Sequence, residues 1–312
     1  MPRSPLHKLV RPRFPATAVG IESNVASIVQ LDRARGGFVV KRAASIELRA
    51  GLIQPSFDQP NLTDPREVAR SLSDLATSAG LLRHRKFSAS LPEAATRSAI
   101  LTLEGASGSR RETEEVFEWK IERSFGAPMS ELRISREQMS PDAQRQARYL
   151  VNAIRLEVLS EYESVFRALG WHVGLILPRH TGEEQWLRNR KQGDGLLLTA
   201  HEQGFTTVLM RGEKPLAVRS VLCEPSERDD ELHRILLFYR DRAATPDKST
   251  TVERLLVVGE HLDKKRVAGI AQETLGMELK PLNAGDVGLL VPSANLDFDA
   301  IAAPAGLARM AW

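Results

Sequence analysis

Short apolar runs separated by polar turns open the chain. Ala18–Ile21, Ser27–Leu31 and an alternating stretch from Phe38 to Leu48 each hold several aliphatic, β-branched or aromatic residues. Runs of about four to eight such residues, bounded by polar turns, are typical of strands. Three in succession, with no helical pattern between them, predict an antiparallel meander at the start of the fold.

A helix and a further strand follow this meander. Asp64 can accept backbone N–H groups at a helix start, Pro65 suits the first turn, and Glu67 can complete a capping box. The helical spacing of apolar residues ends before Gly80, and Phe87–Leu91 has the composition of a strand. Residues 16–94 are therefore predicted to form the first half of a layered α/β fold.

The middle of the chain alternates strand and helix patterns within residues 95–178. Helices are predicted from Glu112 to Arg123 and over an apolar stripe that Gly170 closes, and strands at Ile100–Leu103, Tyr149–Ile154 and Val173–Leu177. This order predicts a small α+β unit inserted into the larger fold.

The last part of the chain, residues 179–312, repeats the order of the first part. The predicted elements are strands at Gly195–Ala200, Thr206–Met210 and Leu216–Val221, a helix from Asp229 to Arg240, a strand at Leu255–Gly259, a helix ending near Gly276 and a closing helix within Asp299–Trp312. The polar stretch from Ala243 to Thr250 is predicted to be a surface linker. The repetition predicts a duplicated architecture with two related halves.

Composition narrows the classes of function. The chain has 312 residues, 42% hydrophobic and 27% charged, which is typical of globular proteins. A single cysteine, Cys223, excludes a disulfide framework or a cysteine-rich zinc site, and we expect a packed thiol there rather than a nucleophile. The 43 basic and 40 acidic residues are interspersed, so no basic stripe for nucleic acid is expected. No apolar run approaches the roughly 20 residues that span a bilayer.

Candidate catalytic and metal-binding groups are few. The seven histidines show no helical ligand spacing, so no metal site is predicted. The sequence has no Gly-x-Ser-x-Gly elbow and no Walker-type loop, so no catalytic centre is predicted either. The segment Met1–Pro15 carries Arg3, Lys8, Arg11 and Arg13 among four prolines. We expect a disordered basic arm there, and an electrostatic tether to anionic lipid stays open as the alternative.

Several stretches together resemble the actin-like ATPases, and above all the type IV pilus assembly protein PilM family, relatives of FtsA. The segment from Glu118 to Pro128 is similar to that family's helix and proline-bearing turn. The segment from Tyr149 to Gly170 is similar to its strand and helix. Gly204–Thr207 with Gly212 is similar to its second-lobe hairpin, and Pro304–Ala308 to its closing helix. The resemblance covers nearly the whole chain after about residue 16 and rests on the shared order of these segments.

The resemblance implies both a fold and a function. The fold would be a duplicated actin-like (ribonuclease H-like) α/β fold. Its lobes would be residues 16–94 and 179–312, its inserted α+β subdomain residues 95–178, and its C-terminal helix would pack back towards the first lobe. The function would be that of a cytoplasmic scaffold, peripheral to the inner membrane, that binds the short N-terminal cytoplasmic peptide of a PilN-like membrane protein. The peptide groove would lie between the first lobe and the insertion, and the pilus motor ATPase would be a further partner.

The resemblance also marks a nucleotide cleft whose loops are degenerate. In the first hairpin Glu22 stands for an aspartate and Asn24 for a glycine, and in the second Ala200 stands for an aspartate while Glu202 adds negative charge. Backbone cradles for phosphate need glycine, and added carboxylates repel it. We therefore expect a pseudoenzyme that does not hydrolyse ATP and needs no cofactor. The cleft positions are Gly20, Glu22, Asn24, Ser27, Ala200, Gly204, Thr206, Gly259 and Glu260.

Three alternatives stay open. The first is weak nucleotide binding without hydrolysis. The second is an active actin-like ATPase, which Mg–ATP would stabilise against heat. The third is a cytoplasmic scaffold of a type II secretion system, similar to the GspL family.

Overall fold

Three β-sheets and their flanking helices make up the described part of the chain. The computed structural model describes residues 14–103, 109–139, 141, 144, 146–188, 193–243, 252–259, 262–292 and 296–312. The strands are β1 Thr17–Ile21, β2 Val25–Ala34, β3 Gly37–Glu47, β4 Lys86–Leu91, β5 Arg97–Leu103, β6 Leu132–Gln138, β7 Ala147–Arg155, β8 His172–Pro178, β9 Asp194–His201, β10 Gly204–Arg211, β11 Lys214–Leu222, β12 Val252–Val258 and β13 Leu289–Leu290. The helices are α1 Pro65–Ser78, α2 Arg110–Phe125, α3 Leu156–Ala168, α4 Arg179–Glu183, α5 Arg228–Ala243, α6 Lys264–Leu275 and α7 Phe298–Arg309.

The predicted meander is confirmed in the largest sheet. β1 pairs antiparallel with β2 and β2 with β3, while β4 runs parallel to β1. The full order is β13-β3-β2-β1-β4-β8. Helix α1 begins where predicted, because Asp64 accepts hydrogen bonds from the N–H groups of Arg66 and Glu67. The predicted capping box is not formed, because the Glu67 carboxylate accepts hydrogen bonds from Arg49 instead. Its buried residues Val68 and Leu72 then close one core over this sheet.

The predicted end of the insertion at residue 178 needs a correction. β8 pairs in parallel with β4, and α3 packs its buried Tyr162 and Phe166 into the same core as α1. Both elements therefore belong to the first lobe. The inserted unit consists of the sheet β5-β7-β6 and helix α2. The periodicity of a strand predicts that it forms but carries no information about which strand pairs with it.

Three elements, β6, α4 and the two-residue strand β13, have no counterpart in the sequence prediction. β6 is an edge strand that alternates charged and apolar residues over only seven positions. α4 is a five-residue helix in which Arg179, His180 and Glu183 are all buried. Buried charges give no amphipathic pattern, so a search for an apolar face does not find such a helix.

The third sheet has the order β11-β10-β9-β12, with β9 to β11 forming the predicted second meander. Helices α5 and α6 share a core with this sheet. Helix α7 lies against β1 and β2 of the first sheet and against α4, so it joins the two halves. Within the described residues no helix is long and apolar enough to cross a membrane. Residues 244–250 of the predicted linker and nearly all of the basic arm lie outside the described ranges.

Candidate functional site

The predicted nucleotide positions converge on a cleft between the two halves. The cleft has a volume of about 520 Å³, and its walls include Gly20, Glu22, Asn24 and Ser27 from the first hairpin and Ala200 from the second, together with Gly259. Gly204 and Thr206 do not line it. Glu260 lies outside the described residues.

Gly204 and Thr206 have structural roles within the second meander. The Thr206 hydroxyl lies 2.8 Å from the Ser220 hydroxyl on the next strand. Gly204 has a φ of 149°, and a Cβ built there would lie 2.0 Å from the carbonyl oxygen of Val221. Gly204 is therefore required for strand packing rather than for phosphate binding.

The guanidinium of Arg179 bridges the two hairpins across the cleft. Its Nη1 lies 3.6 Å from Glu22 Oε2 on the first hairpin and donates to the Ala200 carbonyl, 3.3 Å away on the second. Its Nε donates to Glu183 Oε1 at 2.6 Å within α4. Burial raises the pKa of Glu22 to about 7, although the charge of Arg179 partly opposes that rise. The cleft thus carries its own cation, held by carboxylates of the same chain.

A second buried ion pair lies beside this bridge. Glu93 Oε1 is 2.6 Å from His180 Nδ1, and Glu93 Oε2 accepts a hydrogen bond from the His180 backbone N–H at 3.2 Å. Burial alone would raise the pKa of Glu93, but the charge and hydrogen bonds of His180 lower it to about 2. Burial opposes the charged imidazolium, yet Glu93 raises the pKa of His180 above its usual value. The pair fixes α4 to the end of β4.

Helix α7 accepts a hydrogen bond from the Ser27 hydroxyl of the first hairpin, a group that could otherwise contact a phosphate. Pro304 lies inside this helix and has no N–H, so the carbonyl of Ala300 lacks its helical donor. The Ser27 hydroxyl donates to that carbonyl at 2.6 Å. Pro304 also lies close to the backbone of the hairpin, because a Cβ built on Gly20 would be 3.0 Å from Pro304 Cδ. Ser27, one of the predicted cleft positions, is therefore hydrogen-bonded to the chain's own helix.

The loop at Gly259 is occupied in a similar way. The Gly259 N–H donates to Asp299 Oδ2 at 3.2 Å, and the same carboxylate pairs with Lys264 at 2.7 Å. A Cβ on Gly259, whose φ is 105°, would lie 2.8 Å from the carbonyl oxygen of Ala200. These contacts explain the glycine without a ligand.

A Mg–triphosphate does not fit this arrangement. The Gly259 donor and the Ser27 hydroxyl already have partners within the chain, and the carboxylates of Glu22, Glu93 and Asp299 line the walls. A phosphate chain is held by backbone donors and cations, and buried carboxylates beside it are repulsive. Among the residues that the structure describes, no group of three or more His, Cys, Asp or Glu side chains could hold a metal ion.

Sequence reasoning missed Glu93, Arg179, His180 and Glu183. The available signal was weak: Arg179 and Glu183 are spaced i, i+4, as is common for pairs on solvated helices. That spacing does not reveal that the pair is buried and faces Glu22, because Glu22 is distant in the sequence.

A second concave surface, which we call the intersheet groove, lies between the first sheet and the inserted sheet. Its volume is about 270 Å³, and its walls are Arg133–Ser135 of β6, Asn152–Ile154 of β7, Val173–Pro178 of β8 and Leu159 with Glu163 of α3. Leu91 and Thr96 complete the lining. The groove lies between the first lobe and the insertion, where the resemblance implies a peptide site.

The groove is bordered by two sheet edges. β8 ends the six-stranded sheet and β6 ends the three-stranded sheet, as the described strands are ordered. An edge strand presents backbone N–H and C=O groups that can pair with another chain. Gly174 of β8 is exposed, and a Cβ built on it would meet no described atom within 4 Å. The edge of β8 is therefore open to another chain at Gly174.

Comparison with known proteins identifies the fold. No protein-family model matches the sequence, and no curated protein does. A chain of a solved structure described as a PilM–PilN type IV pilus biogenesis complex is similar with a TM-score of 0.73 and 19% identity, over 96% of this chain and 99% of that one. A Bacteroides thetaiotaomicron protein with an actin-like ATPase fold gives 0.48 and 9% identity, over 92% and 93%. The cytoplasmic domain of EpsL, an inner-membrane component of the type II secretion system of Vibrio cholerae, gives 0.45 and 10%, over 86% and 98%.

The similarity to the PilM–PilN structure confirms, at the level of the fold, the resemblance on which the sequence prediction rests. The duplicated meanders and the inserted three-stranded sheet agree with it. The chain therefore has a two-lobed actin-like α/β fold of the kind found in the PilM-like proteins.

Proposed function

We propose that the protein is a non-catalytic scaffold of a type IV pilus, or related secretion, assembly platform. It binds the N-terminal cytoplasmic peptide of a PilN-like inner-membrane protein in the intersheet groove. It acts at the cytoplasmic side of the inner membrane, and the pilus motor ATPase is a further candidate partner. The fold similarity to a chain from a PilM–PilN complex supports this proposal.

The single observation on which the proposal depends most is the pair of sheet edges that border the groove. A peptide added beside β8 gains main-chain hydrogen bonds, while alternate side chains reach pockets on either face. Leu175 and Ile134 are half-buried beside the groove and can accept apolar side chains. Arg133 and Glu163 are exposed at the groove and can orient a charged peptide.

The non-catalytic part of the proposal rests on the cleft between the lobes. Arg179 bridges the two hairpins, and α7 accepts a hydrogen bond from Ser27, so internal contacts connect the lobes across the cleft. A scaffold of this kind keeps its lobes together without nucleotide.

A binding experiment tests the peptide site. A labelled synthetic peptide with the N-terminal sequence of the PilN-like partner is titrated with the full chain, and fluorescence anisotropy reports binding. Gly174→Phe places a ring in the open space beside β8. We expect this variant to fold normally and to weaken peptide binding at least tenfold, because the ring occupies the path of the added strand.

Gly269→Phe is the matched control. Gly269 lies in α6 of the other lobe, where a built Cβ also meets no described atom within 4 Å. Its affinity for the peptide should equal that of the wild type. No binding by the wild type at high micromolar concentration would contradict the proposal, as would equal binding by the Gly174→Phe variant. Binding of the corresponding peptide from a type II secretion system instead would favour the related scaffold.

A further inference from the structure

An exposed leucine surrounded by basic residues lies at one end of the first sheet. Leu82 is 53% exposed in the loop from α1 to β4, and Arg83, Arg85 and Lys86 follow it with exposed side chains. Arg42 reaches the same loop from β3, where its Nη1 donates to the Gly80 carbonyl at 2.5 Å. We call this surface the Leu82 face; it consists of Leu82, Arg42, Arg83, Arg85 and Lys86.

The loop holds its leucine outward through a hydrogen-bonded turn. The His84 N–H donates to the Leu81 carbonyl at 2.8 Å, which places Leu82 and Arg83 at the two corners of a β-turn. Arg85 Nη1 donates to the Leu82 carbonyl at 2.8 Å and to the His84 carbonyl at 3.1 Å. Buried Leu81 anchors the turn from below. Leu82 is thus presented by ordered backbone rather than by a flexible tail.

The positive charges of this face have no acidic partners within the described part of the chain. None of its basic residues takes part in an ion pair among the described residues, whereas exposed arginines elsewhere pair closely, as Arg49 does with Glu67 and Arg266 with Asp229. The loop from Gly80 to Lys86 also contains no acidic residue. Cations without acidic partners on a well-formed turn are available to an anionic surface.

We propose that the Leu82 face docks the protein onto a membrane that contains anionic phospholipid. Basic side chains are attracted to the phosphates of such a surface, and an apolar residue at a protruding tip enters the boundary between headgroups and acyl chains. The phosphates of a nucleic acid could also pair with the basic side chains, but a nucleic acid offers no apolar layer for Leu82. The combination of one exposed leucine with neighbouring basic residues therefore favours lipid.

This inference goes beyond the proposed function and does not rest on it, because its ligand is lipid and not the partner peptide. The two surfaces are nevertheless adjacent. Lys86 of the Leu82 face lies opposite His172, the first residue of β8, and the following residues of β8 line the intersheet groove. Docking would bring one end of the groove near the bilayer, where a short cytoplasmic segment of a membrane protein must begin.

Vesicle sedimentation of the full chain tests the docking. We expect binding to vesicles of phosphatidylcholine mixed with phosphatidylglycerol and none to phosphatidylcholine alone. Each basic residue near an anionic surface contributes about 1 kcal/mol, or roughly fivefold in the partition coefficient. Arg83→Glu/Lys86→Glu should therefore lower partitioning by about 25-fold or more. Lys214→Glu/Lys265→Glu, two exposed lysines of the second lobe, gives the same change in net charge and should have little effect.

A second measurement reports on the leucine itself. An environment-sensitive fluorophore is attached to Leu82→Cys in a Cys223→Ser background, with Leu222→Cys, also highly exposed, as the matched control. Anionic vesicles should shift the emission of the label at 82 to the blue and leave the label at 222 unchanged. Leu82→Ser should reduce partitioning about tenfold while the thermal melting midpoint stays that of the wild type, because Leu82 is exposed.

Each of the following results would overturn the proposal. The first is that the wild type does not bind anionic vesicles. The second is that Arg83→Glu/Lys86→Glu binds as well as the wild type, which would assign binding to the basic segment Met1–Pro15. The third is that both charge-reversed pairs lose binding equally, or that the label at 82 does not shift, which would indicate unspecific attraction of the whole protein.

Discussion

At the scale of single residues, the cleft between the lobes is controlled by charges that the chain supplies to itself. Arg179 contacts Glu22 and Glu183, and its guanidinium also donates to the Ala200 carbonyl. A buried ion pair is costly to break from one side, because removing one partner leaves an uncompensated charge in a low-dielectric interior. Substituting Glu22, Arg179 or Glu183 alone should therefore destabilise the protein more than replacing the interacting residues together.

Glu22 gives a pH dependence whose direction can be derived. The pKa of this carboxyl is about 7 in the folded protein, against 4.5 ordinarily, chiefly because it is buried. Between those values the folded state holds a proton that the unfolded state has lost, so the stabilisation from Glu22 is complete below about pH 4.5 and is lost as the pH rises through about 7. Glu22→Gln removes this proton exchange.

We therefore expect the melting midpoint of the wild type to fall more steeply from pH 5 to pH 8 than that of Glu22→Gln. Differential scanning fluorimetry across this range measures the difference. Glu115→Gln, in an exposed pair with Arg111, is the control and should give the wild-type profile. Parallel profiles for wild type and Glu22→Gln would show that Glu22 does not titrate in this range.

Some of the cleft residues expected from the sequence line the cleft and others do not, and each outcome has a physical reason. The positions of Gly20, Glu22, Asn24 and Ala200 in the cleft follow from hairpins whose order matched the family, and these hairpins do face each other. Arg179 was missed because its role depends on two carboxylates and a carbonyl that come together only in the folded chain. The resemblance to the family implied a cleft position for Thr206, but its hydroxyl contacts Ser220 in the neighbouring strand.

At the scale of elements, helix α7 joins the two halves by packing on β1 and β2, and its crossing with α4 is unusually close. A Cβ built on Gly306 would lie 1.8 Å from the carbonyl oxygen of Gly182, and one built on Gly182 would lie 2.3 Å from that of Ala303. Trp186, which follows α4, also contacts α7: its Nε1 donates a hydrogen bond to the Ala302 carbonyl at 2.8 Å. Glycine is needed at both positions because any side chain would separate the helices.

Gly306→Ala should therefore destabilise the protein strongly. The added methyl group must push α7 away from α4, and overpacking of this kind typically costs about 1–3 kcal/mol. Gly269→Ala in α6 is the matched control, since its Cβ meets open space and alanine favours a helix by up to about 1 kcal/mol. Urea denaturation followed by circular dichroism compares the two. An unchanged midpoint for Gly306→Ala would mean that the two helices are not in contact as described.

Elements were predictable where periodicity and caps agree, and pairing was not. The strands of both meanders and the start of α1 at Asp64 lie where the sequence places them, because alternation and capping are local properties. The assignment of β8 to the insertion was wrong because its apolar residues fit equally well beside β4 or beside β7. In the folded chain, α1 and α3 share one core and β8 pairs with β4, so β8 belongs to the first sheet.

At the scale of the whole molecule, internal contacts connect all three sheets. Helix α7 spans the two lobes, Arg179 bridges their hairpins, and Arg148 of the inserted sheet donates to the Leu216 carbonyl of β11 at 3.0 Å. In an actin-like fold that uses nucleotide, the ligand itself joins the lobes across the cleft. Here side chains of the same chain make those connections, so the closed arrangement should not depend on a ligand.

Mg–ATP is therefore expected to leave the thermal stability unchanged. A ligand that binds the folded state at 100 times its Kd stabilises it by about 2.7 kcal/mol, which would be plainly visible as a shift in melting midpoint. We expect no shift with millimolar Mg–ATP, while the partner peptide, measured in the same assay, serves as the positive control. A clear upward shift that Glu22→Ala abolishes would instead establish a working nucleotide site. Because the peptide groove lies between different sheets from the cleft, that outcome would overturn the expectation that the cleft takes no nucleotide, call for a direct assay of ATP hydrolysis, and leave the peptide site to be judged by its own titration.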